Sequence, residues 1–182
     1  LEDDLLGILR QKKRPGLTWN PGREQIKGGM TGAQALLAVT DILILNRNEA
    51  LTFTGAKNPE EALKKLSKAG VRYVCITDGK NGTVATDGRT LYRCPVLKGV
   101  KVKDTTGAGD AFGTGLTWAI LSGKNLQNGL RAGTINAASV VEAVGSQAGL
   151  LTDIEMQHRL ETANLDVEEI PFTTNGQLTM DN

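Results

Sequence analysis

Residues 104–115 read DTTGAGDAFGTG, a stretch in which three small residues, Gly107, Ala108 and Gly109, lead directly into Asp110. The small residues lie where a loop gives way to a helix that begins near Asp110. A helix start presents backbone N–H groups without intrahelical partners and a partial positive charge. Because small residues let a phosphate approach those groups closely, the stretch predicts an anion-binding loop at the start of a helix.

Asp110 distinguishes this stretch from a plain anion-binding loop. A carboxylate in the first turn would repel a phosphate that only rested there, but it is well placed to take a proton from an attacking hydroxyl. A loop that stabilises charge beside such a base indicates phosphoryl transfer to an alcohol. The alternative is a turn in which Asp110 complements the helix dipole, and a short glycine-rich match alone does not separate the two.

The whole run resembles the second signature of the ribokinase-like, or PfkB, family of carbohydrate and nucleoside kinases, with Thr114 where the family usually has a smaller residue. The resemblance extends over residues 5–170, approximately. It implies an ATP-dependent phosphotransferase that acts on a hydroxyl of a sugar or nucleoside. Asp110 would be the base, and the N–H groups of residues 107–109 would form the anion hole.

Further residues resemble the family's nucleotide and magnesium sites. Asn46 and Glu49 follow an apolar run and match an Asn-x-x-Glu element that organises Mg²⁺ and phosphate through water. The same pair could be a helix cap with a first-turn acid. Thr77, Gly79 and Gly82 resemble the stretch beside the nucleotide, or they belong to an ordinary glycine-rich turn.

Three more residues carry weaker matches. Asn136 matches a position near the adenine, although a polar helix residue with a local hydrogen bond would give the same pattern. Asp104 and Thr106 match a site for a monovalent cation such as K⁺, which carbonyls near residues 144–146 would complete. Asp104 could equally bond its own backbone.

The order of elements predicts an α/β fold in one domain over residues 1–182. Apolar runs at 42–45 and 71–77 predict strands that are buried on both faces. Residues 17–19 predict a short strand, and residues 83–93 a hairpin with a two-residue turn. Helices are expected over residues 31–39, 59–69, 109–122, 126–143 and from 153, with caps at Thr31, Asn58 and Thr152.

These elements predict a three-layer α/β/α arrangement around a mostly parallel, Rossmann-like sheet of the ribokinase-like type. The resemblance implies that the sheet is incomplete on its N-terminal side. The end of the chain, from about residue 171, is expected to be loosely structured.

Composition limits the classes of binding partner that we expect. With 21 basic and 20 acidic side chains, the formal net charge is +1, which implies no nucleic-acid partner. No apolar run approaches transmembrane length and no signal-peptide pattern is seen, so we expect no membrane partner and a cytoplasmic location. Cys75 and Cys94 are too few and too far apart to predict a metal site or a disulfide framework.

Members of the family carry a preceding half with the first strands, a lid and most substrate contacts, and nothing here resembles those parts. The chain begins with Leu, so we expect it to be part of a longer product. Two classes of function stay open: a kinase that needs the preceding half, and a non-catalytic adenine-nucleotide-binding module. An exposed sheet edge would favour self-association into a homo-oligomer.

Overall fold

The computed structural model describes residues 2–11 and 13–173, and these fall into two compact units. The first unit holds the described residues up to 77, with 84–91 and 169–173. The second unit holds residues 78–83 and 92–168. The single-domain organisation expected from the sequence stays a prediction.

Six strands form one sheet within the described residues, and most of their residues belong to the first unit. The strands are β1 (Thr18–Trp19), β2 (Ile42–Asn46), β3 (Tyr73–Thr77), β4 (Thr83–Thr86), β5 (Thr90–Cys94) and β6 (Glu168–Pro171), in that spatial order. Parallel ladders join β1 to β2 and β2 to β3. Because parallel neighbours need a crossover of about a dozen residues or more, the short β3–β4 and β4–β5 connections make these pairs antiparallel.

Eight α-helices accompany the sheet in the part of the chain that the structure describes. They are α1 (Glu2–Leu9), α2 (Arg23–Gly32), α3 (Gln34–Leu37), α4 (Arg47–Thr54), α5 (Pro59–Lys68), α6 (Ala108–Leu121), α7 (Leu126–Val141) and α8 (Asp153–Thr162). A mixed sheet with helices between its strands is an α/β fold, as the sequence predicts.

The core of the first unit forms around β2, β3 and α5. All four residues of the apolar run in β2, Ile42 to Leu45, are buried. On α5, Leu63 and Leu66 are fully buried, because the apolar positions recur at helical spacing along one face. Burial of a leucine side chain contributes about 1.5–3 kcal/mol, so these positions stabilise the core of this unit.

In the second unit, α6 and α7 pack at close range through glycines. A Cβ added at Gly115 would lie 2.7 Å from the Ala132 carbonyl oxygen, and one added at Gly133 would lie 2.8 Å from the Phe112 oxygen. Real Cβ atoms do not approach so closely, so the contact requires glycine at both positions. Leu116 is fully buried in this unit.

Three local predictions are wrong. A helix capped by Thr31 is replaced by α2 and α3, because Ile26 starts a buried face earlier and Gly29, at φ 66°, introduces a kink inside α2. The hairpin turn has three residues, since Asp87 Oδ1 accepts the N–H groups of both Arg89 and Thr90, at 2.9 and 2.8 Å.

The third correction concerns the end of the chain. Pro171, where loose structure was expected to begin, belongs to β6. Phe172 is buried and donates its N–H to the Arg89 oxygen at 2.8 Å. An apolar ring on the core of the first unit therefore orders this segment, while residues 174–182 lie outside the described residues.

Candidate nucleotide and catalytic site

The start of α6 has a backbone shape that only glycine adopts readily. Gly107, the N-cap residue, has φ 79° and ψ 0°, in the left-handed region. A Cβ there would also lie 2.7 Å from Ser146 Cβ and 2.8 Å from the Ser146 oxygen. Conformation and space both exclude a side chain at Gly107.

The first turn of α6 leaves backbone donors open. Within the described residues, the N–H groups of Gly107, Gly109 and Asp110 have no acceptor, and that of Ala108 donates to the Thr105 oxygen at 3.3 Å. By contrast, α4, α5, α7 and α8 each begin with an Asn or Thr side chain that accepts an N–H. A Cβ added at Gly109 would meet nothing within 4 Å, so the space beside this residue of the turn is open.

Asp110 lies in this same turn and is exposed. Its carboxylate makes no hydrogen bond or ion pair with the described residues, and its backbone oxygen accepts the Thr114 hydroxyl at 2.9 Å. The carboxylate is therefore free to accept a proton from a molecule that binds in front of the helix.

Asp104 holds the loop that precedes α6. Its Oδ1 accepts the N–H and the hydroxyl of Thr106, at 2.9 and 2.7 Å, and its Oδ2 accepts the Gly145 N–H at 3.0 Å. These bonds, first among them that from the Thr106 N–H, hold the pKa of the Asp104 carboxyl below its usual value. They account for Asp104 and Thr106 without an ion, and the monovalent-cation site stays a prediction.

In the first unit, Asn46, Glu49 and Thr77 lie together at the carboxyl ends of β2 and β3. Asn46 and Thr77 are partners in the parallel register. Asn46 Oδ1 accepts the Glu49 N–H at 2.9 Å, and Glu49 Oε2 accepts the Asn46 N–H at 2.8 Å, which is a capping box. Both interpretations of this pair stay open, because Glu49 Oε1 makes no hydrogen bond within the described residues and could accept from metal-bound water.

Gly79 and Gly82 bound a 3₁₀ turn, Gly79–Asn81, in the second unit. Gly82, at φ 85°, packs so closely on β5 that an added Cβ would overlap the Cys94 oxygen. Gly79, at φ 51°, has open space around it. The structure thus explains Gly82 by packing and leaves Gly79 available to a ligand.

Asn136 lies inside the second unit with 2% of its surface exposed. Its Nδ2 donates to the Ala111 oxygen at 2.8 Å, and its Oδ1 accepts the Leu151 N–H at 3.1 Å. The amide is thus committed to backbone groups, and the predicted contact with adenine stays untested.

The structure therefore groups the predicted residues into two sets, one in each unit. The sequence analysis placed residues 144–146 beside this loop as carbonyl ligands but did not predict that Ser146 packs on Gly107, and it did not predict Leu151 as the donor to Asn136. Leu151 contributes its backbone N–H, for which the sequence carries no side-chain signal. Among the described residues, no three His, Cys, Asp or Glu side chains cluster as metal ligands would.

The helices that the structure describes include none with the length and apolar character needed to cross a membrane.

Comparison with known proteins identifies the class. Residues 21–153 match the model of the pfkB family of carbohydrate kinases, and the chain belongs to this family of sugar and nucleoside kinases. An ATP-dependent 6-phosphofructokinase from Thermoanaerobacterium thermosaccharolyticum is 34% identical over 125 residues, which are 69% of this chain and 36% of that protein.

Two solved structures share the fold. A nucleoside kinase from Methanocaldococcus jannaschii, described as an archaeal member of the ribokinase family, matches 86% of this chain and 52% of its own, at TM-score 0.70 and 26% identity. Arabidopsis thaliana ribokinase complexed with ribose and ATP matches 71% of this chain and 44% of its own, at TM-score 0.65 and 26% identity. The predicted ribokinase-like α/β fold is confirmed, and the chain spans about a third to a half of the length of these relatives.

Proposed function

We propose that the protein transfers the γ-phosphate of ATP to a hydroxyl group of a sugar or nucleoside, with Asp110 as the base. The observation that carries the proposal is the combination, in one helix turn, of an exposed unpaired carboxylate with N–H groups that have no acceptor. A kinase needs both a proton acceptor for the attacking hydroxyl and donors for the charge on the transferring group.

In this reaction the acceptor oxygen forms a bond to the γ-phosphorus while its proton passes to the Asp110 carboxylate. The bond from the γ-phosphorus to the bridging oxygen breaks, and ADP leaves with that electron pair. The N–H groups of Gly107 and Gly109 donate to the transferring oxygens as their charge grows. The Ala108 N–H joins them by giving up its 3.3 Å bond to Thr105.

Mg²⁺ bound with ATP would neutralise charge on the phosphates. Asn46 and Glu49 would hold it through water, with Glu49 Oε1 as the free acceptor. Contacts of the nucleotide with Thr77 and Gly79 belong to the same proposal. ATP binding by this chain is supported by its similarity to Arabidopsis thaliana ribokinase, whose structure contains ATP.

A second candidate function is a non-catalytic adenine-nucleotide-binding module. The observation that favours it is coverage, since the chain spans 36% of the phosphofructokinase and 52% of the nucleoside kinase. Residues that bind the acceptor in those relatives can then lie outside the matched part.

The two candidates are separated by measuring ADP release from ATP and Mg²⁺ with a panel of sugars and nucleosides, together with calorimetric titration of ATP, ADP and NAD. A kinase gives acceptor-dependent ADP release. Nucleotide binding without such release supports the binding module. Tighter binding of NAD than of ATP contradicts both candidates.

A further inference from the structure

The connection between α7 and α8 holds the start of α6 at three points. Gly145 donates its N–H to Asp104, in the loop before the helix, at 3.0 Å. Ser146 lies against Gly107 so closely that a Cβ on the glycine would overlap it. The third contact is indirect. Asn136 on α7 accepts the Leu151 N–H at 3.1 Å and also bonds the backbone of α6.

Asn136 reaches α6 at the residue that follows the proposed base. Its Nδ2 donates to the oxygen of Ala111 at 2.8 Å, and the Ala111 N–H donates to the Gly107 oxygen at 2.9 Å. The peptide groups on both sides of Ala111, the first of which joins it to Asp110, are thus tied to Gly107 and to the α7–α8 connection.

The close contact of α6 and α7 makes this bond geometrically possible. A Cβ added at Gly115 would lie 3.1 Å from Asn136 Cβ, so glycine at that position admits the amide against the α6 backbone. Asn136 is 2% exposed, and both its donor and its acceptor ends are bonded to backbone groups. A buried amide that is satisfied in this way holds its partners in one arrangement.

We propose that Asn136 is a positioning residue for phosphoryl transfer: it fixes the first turn of α6, and with it the Asp110 carboxylate and the N–H groups of residues 107–109. This inference rests on the proposed function and deepens it. It gives Asn136 a different task from the contact with adenine that the sequence predicted. A displacement of about 1 Å between reacting groups can cost roughly a hundredfold in rate, which is why such an anchor matters.

Hydrogen exchange on the 182-residue chain tests the anchor without any need for activity. In Asn136→Ala, the Leu151 and Ala111 amides should exchange about tenfold faster, because the bonds that hold these segments are lost. The matched control is Thr134→Val on the same helix, which removes the contact between Thr134 Oγ1 and Cys94 Sγ, at 3.3 Å, and leaves Asn136 intact. Equal exchange at Ala111 and Leu151 in the two variants would overturn the proposal.

Asn136→Asp supplies a second variant that keeps the shape of the side chain. The neutral acid that burial favours can still donate to the Ala111 oxygen, so exchange is measured at a pH high enough to ionise the carboxyl, which then accepts the Leu151 N–H but cannot donate. Exchange should therefore increase at Ala111 while Leu151 stays protected. Protection at both positions equal to that of the unaltered protein, with the carboxyl ionised, would contradict the assignment.

Turnover with ATP, Mg²⁺ and a panel of sugars and nucleosides gives the functional readout. For Asn136→Ala we expect kcat to fall by about 10- to 100-fold, with the KM for ATP changed by less than about twofold. If Asn136 instead contacts adenine, Asn136→Ala should raise the KM for ATP and leave kcat unchanged. If Thr134→Val loses as much kcat as Asn136→Ala, the loss reflects lower stability alone. Either result overturns the proposal. Absence of phosphoryl transfer in the unaltered protein would contradict the proposed function, while the exchange experiment would still decide the role of Asn136.

Discussion

At the scale of single residues, Gly107 and Gly109 lie in one turn but are required for different reasons. Gly107 has φ 79° and no space beside Ser146, whereas an added Cβ at Gly109 would meet nothing within 4 Å. The first glycine is therefore needed by the fold, and the second is free to serve a ligand.

This difference predicts opposite outcomes for two alanine variants. Gly107→Ala should lower the free energy of unfolding by at least about 1–2 kcal/mol, the cost of a left-handed conformation for a residue with a Cβ. Gly109→Ala should leave stability unchanged or slightly higher, and it should weaken ATP binding because a methyl group in the phosphate-binding turn would crowd a bound phosphate. Denaturant unfolding and calorimetry check both, and similar stability losses in the two variants would contradict the interpretation.

Asp41 is held in the first unit by a half-buried ion pair with Arg14. The guanidinium donates to both carboxylate oxygens, at 2.6 and 2.9 Å, and the Leu17 N–H adds a bond of 2.8 Å. Burial raises the pKa of Asp41, but the bonds from Arg14 and Leu17 outweigh it, so the pKa lies below its usual 3.8. A lowered pKa means that this stabilisation is present above the ordinary value and is lost as pH falls through the lowered one.

Asp41→Asn should therefore lower the free energy of unfolding at neutral pH by about 1.5–3 kcal/mol, the range for hydrogen bonds to charged groups. The difference from the unaltered protein should shrink as the pH falls below 3.8. Glu24→Gln is the control, since its pair with Lys27 is exposed and should contribute no measurable stability. If the difference in the free energy of unfolding between Asp41→Asn and the unaltered protein stays the same in acid, the charge of Asp41 does not contribute to stability.

For single residues, the sequence predicts those features that depend on neighbouring positions in the chain. The glycines and Asp110 form one contiguous stretch, so the open N–H groups and the carboxylate could be expected before the structure was known. The bonds of Asn136 could not, because Ala111 and Leu151 contribute only backbone groups from distant positions. Asp104 bonds its own loop, one of the two alternatives that the sequence left open.

At the scale of elements, the caps of α5 and α8 were predictable because each depends on a few adjacent residues, Asn58 in one case and Thr152 with Glu155 in the other. The start of α2 was not, since Gly22 offers no side-chain cap and Gly29 interrupts the helical pattern. The buried position of Phe172 depends on an apolar core formed by earlier strands and helices, so no local pattern near residue 171 predicts it.

The contact between α6 and α7 gives the next prediction. A methyl group at Gly133 would lie 2.8 Å from the Phe112 oxygen and 2.9 Å from its ring. Gly133→Ala should therefore destabilise the protein by about 1–3 kcal/mol, the usual cost of overpacking. Gly109→Ala, on α6 but in open space, is the control. Equal melting temperatures for the two variants would show that the helices can separate without cost.

At the scale of the whole molecule, the first unit presents apolar surface near its sheet edge. β1, at one edge of the sheet, is two residues long, and Leu5 and Ile8 on α1 are 39% and 49% exposed. Leu5, Leu17 and Trp19 help to line a cavity of about 640 Å³. Apolar surface of this kind favours association with another chain.

We therefore expect the isolated 182-residue chain to self-associate. Sedimentation velocity over a range of concentrations should show an average mass that rises with concentration. Leu5→Ser with Ile8→Ser should reduce this association, and Lys27→Ser, on an exposed part of α2, is the control. A stable monomer at all concentrations would contradict the expectation.

In the proposed reaction, Asp110 takes the proton of the acceptor hydroxyl. Asn in place of Asp110 keeps the shape and removes the base, while the N–H groups of the turn remain. The decisive measurement is the turnover of Asp110→Asn in a protein form with acceptor-dependent ADP release, together with its ATP affinity and melting temperature. We predict a fall in turnover of about 10²–10⁴, the usual contribution of a positioned base, with ATP affinity and melting temperature nearly unchanged. Turnover near that of the unaltered protein, with only a small loss of melting temperature, would show that Asp110 merely complements the helix dipole and would contradict its role as the base.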